Sequence, residues 1–452
     1  MKKALLKFFE RIEPDKEKSP FLHTAYDAFF TFAFTPNTTT QGGVHIRDGM
    51  DLKRTMVHVV LALQILYLFG TYNIGHQHFV ALGEHTGLLA GFHLKLFYGL
   101  VKILPIFIWT HLVGLGIEFY YAARRGHAVE EGFLVSGALI PLIMPPDIPI
   151  WILCIAVAFA VIIGKEAFGG TGMNILNIAL LARVFVFFAY PTYISGDEVW
   201  IAGIEKVGPG MYAGETYGWI YGVLDSIFAF FGGSTFGAGG QAVVDGFTGA
   251  TPLGIAAKEG WAGVTEHYTL SQMWWGTIPG SIGESSKPLI LLGALFLIFT
   301  KIADWRIMVS AVLGFIVCGL VINGIAPETF GPDTAGIFKF MAVPWYYHFY
   351  MGSFFFAMAF MATDPVTAAS TPAGKWIYGF LIGFVGLVIR ILNPAYPEGW
   401  MLAILFMNVF APLIDYYVLN ANVKRRLKRQ AILAKARTEQ TPATAGEAVT
   451  AE

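Results

Sequence analysis

The segment Asp245-Gly-Phe-Thr248-Gly249-Ala250-Thr251 holds the most specific chemistry in this 452-residue chain. The hydroxyl of Thr251 can accept a phosphoryl group. A loop threonine ahead of Pro252 is equally a turn former or helix cap, so residue type alone leaves both readings open. Two carboxylates sit in apolar surroundings. Asp364 lies at a proline-containing break, and Asp415 lies well inside the last apolar run. Burying a carboxylate at mid-membrane costs at least about 2.5–3.5 kcal/mol on insertion scales. Each acid is therefore either tied into a structural pair or helix cap, or it is a hard oxygen ligand or relay for a cation such as Na⁺. Asn174 and Asn177 follow Gly169-Gly170-Thr171-Gly172 at the start of another apolar run. Their amides can cap that helix or hydrogen-bond a polar ring system.

What must position these residues is a membrane scaffold. The chain is 55% hydrophobic and 13% charged, against about 25% charged in soluble domains. Its net charge of −1 gives no reason to expect nucleic acid as a partner. The two cysteines, Cys154 and Cys318, both sit in apolar runs without a C-x-x-C partner, so neither a thiolate-bound cluster nor a transition-metal site is expected. Residues 1–18 lack the apolar core and cleavage site of a signal peptide.

A spanning helix needs roughly 20 mostly apolar residues. Runs at 56–72, 96–121, 149–163, 175–190, 288–300, 307–322, 377–391 and 401–419 qualify or nearly so. Two shorter runs, 133–144 and 352–362, end at Met144-Pro145-Pro146-Asp147 and Ala362-Thr363-Asp364-Pro365. Lys2, Lys3, Lys7, Arg47, Lys53 and Arg54 place the N-terminus in the cytoplasm, and Lys424, Arg425, Arg426, Lys428 and Arg429 place the C-terminus there too. Arg124 and Arg125, and later Lys301 and Arg306, return to the same side. Ten crossings satisfy every anchor and leave the 191–287 loop outside. The expected fold is an all-α polytopic membrane protein of about ten transmembrane helices. An interfacial segment (1–55) precedes a first transmembrane half (56–190), the external loop (191–287), a second half (288–420) and a basic stretch with a disordered tail (421–452).

The halves echo one another. In each, a short run ends at a proline break and is followed by a full helix, then by an Asn-containing turn (Asn174 and Asn177, then Asn393). Five crossings per half would make the repeats inverted, and broken helices at matching places in such repeats mark a midplane site.

Asp-x-x-Ser/Thr-Gly-Ala-Thr is the signature at which flavin transferases attach FMN, through its phosphate, to the final threonine, and this chain matches it in full. From about Lys7 to Arg429 the sequence resembles the B subunit of the bacterial sodium-translocating NADH:quinone reductases and its relative, the D subunit of the Rnf complex. The resemblance is carried further by Val44-His-Ile-Arg-Asp48 with Asp51-Leu-Lys-Arg54, Gly164-Lys-Glu-Ala-Phe-Gly-Gly-Thr-Gly172, Ile278-Pro-Gly-Ser-Ile-Gly-Glu284, Asn393-Pro-Ala-Tyr-Pro-Glu-Gly399 and Asn408-Val-Phe-Ala-Pro-Leu-Ile-Asp415. A longer 198–244 loop departs from the family pattern.

The resemblance implies covalent FMN on Thr251, in the motif formed by Asp245, Thr248, Gly249 and Ala250. It also implies a noncovalent riboflavin, placed near Asn174, Asn177 and Asp364. Asp415, Asp364 and Glu131 become candidates for the Na⁺ path, and the region of Arg47 and Asp51 a candidate quinone site. No G-x-G-x-x-G follows a strand, so NADH would bind elsewhere in a six-subunit complex of the bacterial inner membrane. A flavin transferase, quinone and the lipid bilayer are the other partners implied. The alternatives are the Rnf-type protein, with the same flavin and a different electron chain, and an inverted-repeat solute transporter without a redox centre.

Overall fold

In the computed structural model, the described residues are 11–15, 52–83, 85–125, 132–195, 199–208, 211–214, 243–245, 250–326, 336–393 and 398–440, with single residues between 19 and 42. Arg47, Asp51, Glu131, Thr248 and Gly249 lie outside them, and of Asp245 only the backbone is described.

Ten apolar segments form the body. The first five are α1 (Leu52–Ala81), α2 (Phe92–Arg125), α3 (Phe133–Ile143), α4 (Ile150–Gly164) and α5 (Ile178–Ala189). After them come a small antiparallel sheet of β1 (Ile204–Gly208), β2 (Met211–Gly214) and β3 (Val243–Asp245), and two helices, α6 (Pro252–His267) and α7 (Leu270–Trp275). The second five segments are α8 (Lys287–Phe299), α9 (Trp305–Ile325), α11 (Phe354–Phe356, continuing as a π-helical turn Ala357–Met361), α12 (Pro372–Leu392) and α13 (Trp400–Gln440), with the short α10 (Gly336–Met341) preceding α11. Six of these helices are long and apolar enough to cross a membrane. The body is helical as the hydropathy pattern requires, because hydrocarbon leaves no water to satisfy an open backbone.

The proline breaks act where expected. Helix α3 stops at Ile143 because Pro145 and Pro146 cannot continue its hydrogen bonding. Asp147 in that break is held by Lys102 (Nζ–Oδ1 2.7 Å). In the second half the π turn loosens α11 before Asp364-Pro365. One expectation is corrected: α13 runs to Gln440, well into the stretch expected to be a disordered tail. Residues 424–435 are rich in Lys, Arg, Leu and Ala, all good helix formers, and their side chains are exposed.

The packing repeats between halves. In each, the second segment packs on the fourth, the fourth on the fifth, and the short third segment against the first, second and fifth. Across the halves, first meets first (α1 with α8) and fifth meets fifth (α5 with α13). Only the first-on-second contact, extensive between α1 and α2, lacks an equally broad counterpart.

Small residues let backbones touch, as helix packing in lipid requires. A Cβ on Gly383 of α12 would collide with the carbonyl of Ala311 on α9, and one on Gly379 with Ser310 and Ile307. Gly324 of α9 faces open space. Gly383→Ala is therefore expected to cost on the order of 1–3 kcal/mol by overpacking, while Gly324→Ala is neutral or slightly stabilising. Thermal unfolding of the two detergent-solubilised variants checks this, and equal midpoints would refute the close-contact reading.

Candidate functional sites at two ends of the helical body

Of the described residues singled out from sequence, all but Asp415 fall into two groups. They lie at opposite ends of α8 and α11, whose C-termini line one site and whose N-termini line the other.

The first is an open cavity. It is walled by the start of α1 (Thr55, Met56), the start of α3 (Gly132, Ser136), the turn after α4 (Lys165, Thr171) and the α11 break (Phe360, Thr363, Asp364). Asn174 and Asn177, and Asp364 at least 187 positions further on, all line it. Asn177 caps α5, its Oδ1 accepting from Leu180 N (3.2 Å). Its Nδ2 donates to Asp364 Oδ2 (3.3 Å). Asp364 also accepts from Val366 N (3.1 Å) and Thr367 Oγ1 (3.0 Å). An amide from the turn before α5 in the first half and a carboxylate from the α11 break in the second thus share one hydrogen bond at the cavity.

Sequence reasoning passed over Lys165 as an individual residue. It lines the same cavity and forms a buried ion pair with Glu118 of α2. Charges such as Glu118 inside an apolar helix were the signal available. The lining is that of a small-molecule site, mostly apolar with a few convergent polar groups.

Asp415 does not reach this cavity. Its carboxylate accepts from Ser370 N (2.6 Å), Thr371 N (3.0 Å) and the Thr371 hydroxyl. Those are donors at the open start of α12, whose first amides lack intrahelical partners. Asp415 thereby anchors the helix that follows the second break, which is the structural alternative its sequence position left open.

The second site surrounds Thr251. Thr251 is the N-cap of α6, which is kinked at Gly260, its Oγ1 accepting from Gly254 N (3.2 Å). The preceding carbonyl, of Ala250, is held by Tyr268 OH (2.9 Å). Thr251 lines a smaller cavity with Pro279, Glu284, Lys287, Gly352 and Glu398. A buried charge cluster contributed by five segments adjoins it: Arg183 (α5), Glu284 (the 276–286 turn), Lys287 (α8), Arg390 (α12) and Glu398 (before α13). Arg183 approaches Glu398 (Nη2–Oε1 3.9 Å), and Ser353 Oγ donates to Glu398 Oε2 (2.6 Å). None of the five was selected from sequence as a site residue, because no local pattern joins them.

Glu284 is 5% exposed, and one of its oxygens has no hydrogen-bond partner among the described residues. Burial, with Glu398 beside it, pushes its carboxyl up to about 7 from an ordinary 4.5. The folded pKa lies above the unfolded one, so the stabilisation is complete below about 4.5 and lost as pH rises through about 7. Glu284→Gln is expected to flatten the decline of thermal stability over that window. A decline unchanged from the parent protein would reject the assignment to Glu284.

Between the sites runs α11. A Cβ on Gly283 would lie 2.8 Å from the Phe356 ring, Phe356 and Phe360 are 5.3 Å apart between centroids, and Phe360 lines the first cavity.

Fold and sites together define a polytopic membrane protein with two five-segment halves. The α11 break meets the starts of α1, α3 and α5 over a polar cavity at one end, and a helix-capping threonine sits beside a buried charge cluster at the other. A sequence profile of the NQR2, RnfD, RnfE family matches residues 39–424, and the chain belongs to that family. It is 39% identical over 436 residues to the B subunit of a Na(+)-translocating NADH-quinone reductase from Chromohalobacter salexigens, covering 93% of this chain and 94% of that one. It is 40% identical over 453 residues to the protein of the same name from Pseudoalteromonas atlantica, covering 94% and 99%. With that from Ectopseudomonas mendocina the identity is 40% over 445 residues, covering 93% and 98%.

Proposed function

We propose that this chain is the membrane subunit of a Na⁺-translocating NADH:quinone oxidoreductase, carrying FMN as a phosphoester on Thr251 and riboflavin in the cavity at Asn177 and Asp364. The observation that carries the reading is near end-to-end similarity, about 40% identity, to proteins named for that reductase. The full attachment motif ending at Thr251 adds to it.

Both sites suit the groups assigned to them. Thr251 lies beside a cavity with a lysine in its wall, so a phosphate there has a counter-charge. The other cavity offers the amides of Asn174 and Asn177 and the carboxylate of Asp364 to the polar edge of a ring system, with Phe360, Leu139 and Ile178 for its face. When bound, the two flavins supply stepwise electron carriage from a partner protein to quinone. The chain holds them at opposite ends of α11 and keeps water from the apolar stretch between.

The cavity end is assigned to the cytoplasm of an inner-membrane protein, because Arg54, Arg124, Arg125, Lys301 and Arg306 gather at the helix ends on that side. Thr251 then faces outward, and both termini face inward. Among the acids proposed for the Na⁺ path, Asp364 has the stronger case, since its carboxylate lines the cavity while that of Asp415 is taken up by the start of α12. The quinone region proposed at Arg47 and Asp51, and Glu131 as a further Na⁺ candidate, lie outside the described residues.

Intact mass and a spectrum of the purified full-length chain test the proposal. A mass excess of one FMN residue, with riboflavin released on denaturation, is expected. A chain at its sequence mass with no flavin spectrum would leave the solute-transporter alternative. The Rnf-type alternative shares the covalent flavin and is separated by the purified complex reducing quinone with NADH.

A further inference from the structure

Past Val423 the last helix, α13, changes character without a break. The stretch from Trp400 to Val423 carries Asp415 as its single charge. At 1.5 Å per residue it is about 36 Å long, a little more than the roughly 30 Å hydrocarbon core. The next six residues, Lys424-Arg425-Arg426-Leu427-Lys428-Arg429, include five basic ones and emerge at the height of the lipid headgroups. All six are exposed. No acid occurs between Asp415 and Glu439, so none of the five is neutralised by a neighbour one turn away in its own helix. Like charges instead stand four residues apart, Lys424 with Lys428 and Arg425 with Arg429, an arrangement that repels. None of the five forms an ion pair among the described residues, whereas at the same end Arg125 is held by Glu166 (2.9 Å), and Lys375 and Arg306 by Asp304 (2.8 and 3.7 Å).

Two features choose between kinds of partner. The charge thins with distance from the bilayer: residues 424–429 hold five basic side chains, and residues 430–435 hold only Lys435. Successive residues turn by about 100°, so the five spread over about 200° of the helix circumference, wider than one groove of a partner protein grips. The exposed apolar side chains on this stretch, Leu427, Ile432 and Leu433, stand about 100–140° apart and form no common stripe for a partner helix. Charge gathered at one height and spread around the helix suits a layer that surrounds it there, as headgroups do. The family profile ends at residue 424, so this basic stretch lies past the segment by which the family is recognised.

We propose that Lys424, Arg425, Arg426, Lys428 and Arg429 form a collar that binds the phosphates of anionic phospholipids in the leaflet where α13 emerges. Long stems let the cationic ends reach back toward the bilayer, where they meet headgroup phosphates as charge-assisted hydrogen-bond donors. The inference is independent of both flavin assignments.

The test is native mass spectrometry of the full-length protein released from nanodiscs that hold a minor share of phosphatidylglycerol in phosphatidylcholine, with the lipids that stay bound counted. The parent is expected to retain phosphatidylglycerol several-fold above its share of the bilayer. Replacing all five collar residues with Gln is expected to cut that enrichment by about fivefold or more, the worth of even one Lys or Arg near an anionic surface. Raising the ionic strength before release lowers the parent's enrichment as well, because salt screens exposed charge. Lys435→Gln, about 9 Å further along the helix than Arg429, leaves it unchanged. Equal enrichment in the parent and the five-residue variant would overturn the collar. An unchanged lipid count joined to loss of a co-purifying subunit would overturn it too, and would assign the surface to protein. Should the five-residue variant fail to insert, Arg425→Gln with Arg426→Gln takes its place, and an enrichment moved by neither that pair nor salt would refute the collar.

Discussion

Thr251→Ala is expected to produce a chain at its bare sequence mass, dark under ultraviolet light in a denaturing gel, where the parent protein fluoresces. The effect is all-or-none because the phosphoester needs a hydroxyl at that position and alanine has none. Thr251 caps α6, so removing it also costs about 1 kcal/mol of helix stability. Thr251→Ser separates the two consequences, since serine keeps both the cap and a hydroxyl. Thr248→Ala is expected to reduce loading less, because Thr248 belongs to the motif and is not the acceptor. Covalent fluorescence surviving in Thr251→Ala would transfer the attachment to another residue. NADH-driven quinone reduction by Thr251→Ala complexes is expected to fall to background.

The second large effect is expected at Asp364. In Asp364→Asn the carboxylate that accepts from Asn177, Val366 and Thr367 becomes a neutral amide. If Asp364 lies on the Na⁺ path, the attraction that offsets ion dehydration is weakened. The Na⁺ concentration for half-maximal turnover is then expected to rise on the order of tenfold, which corresponds to about 1.4 kcal/mol. Asp415→Asn provides the comparison. Its carboxylate holds Ser370 and Thr371, so its loss is expected to lower folded yield and leave the sodium dependence of the surviving protein unchanged. Na⁺ titration of both variants, normalised to covalent flavin, distinguishes the roles. An unchanged half-saturation in Asp364→Asn would remove that residue from the path, and a raised one in Asp415→Asn would return Asp415 to it.

These expectations differ between two acids that look alike in sequence, each in an apolar context with a proline within three residues. What separates them is the donor each one meets. Asp364 meets Asn177, 187 positions away, and Asp415 meets a helix start 44 and 45 positions away.

The ten apolar segments were legible in the residues alone, most to within a few residues, because crossing hydrocarbon imposes a length and composition that a local window can read. The breaks after α3 and after α11 were equally local, since proline cannot donate and bends its own turn. The motif ending at Thr251, on which the proposed attachment rests, was legible too, because residue order carries the information. The extension of α13 to Gln440 escaped because polar composition was taken for disorder, although those residues favour helix. Which ends meet is set by the packing of the helices on one another. Arg183, Glu284, Lys287, Arg390 and Glu398 have no shared spacing, and they converge because α5, α8, α12 and α13 present their ends to one place. Buried charges in an apolar medium must find partners or counter-ions, but which partner each finds depends on how the two halves pair, and that pairing is written in contacts between helices rather than in any one of them.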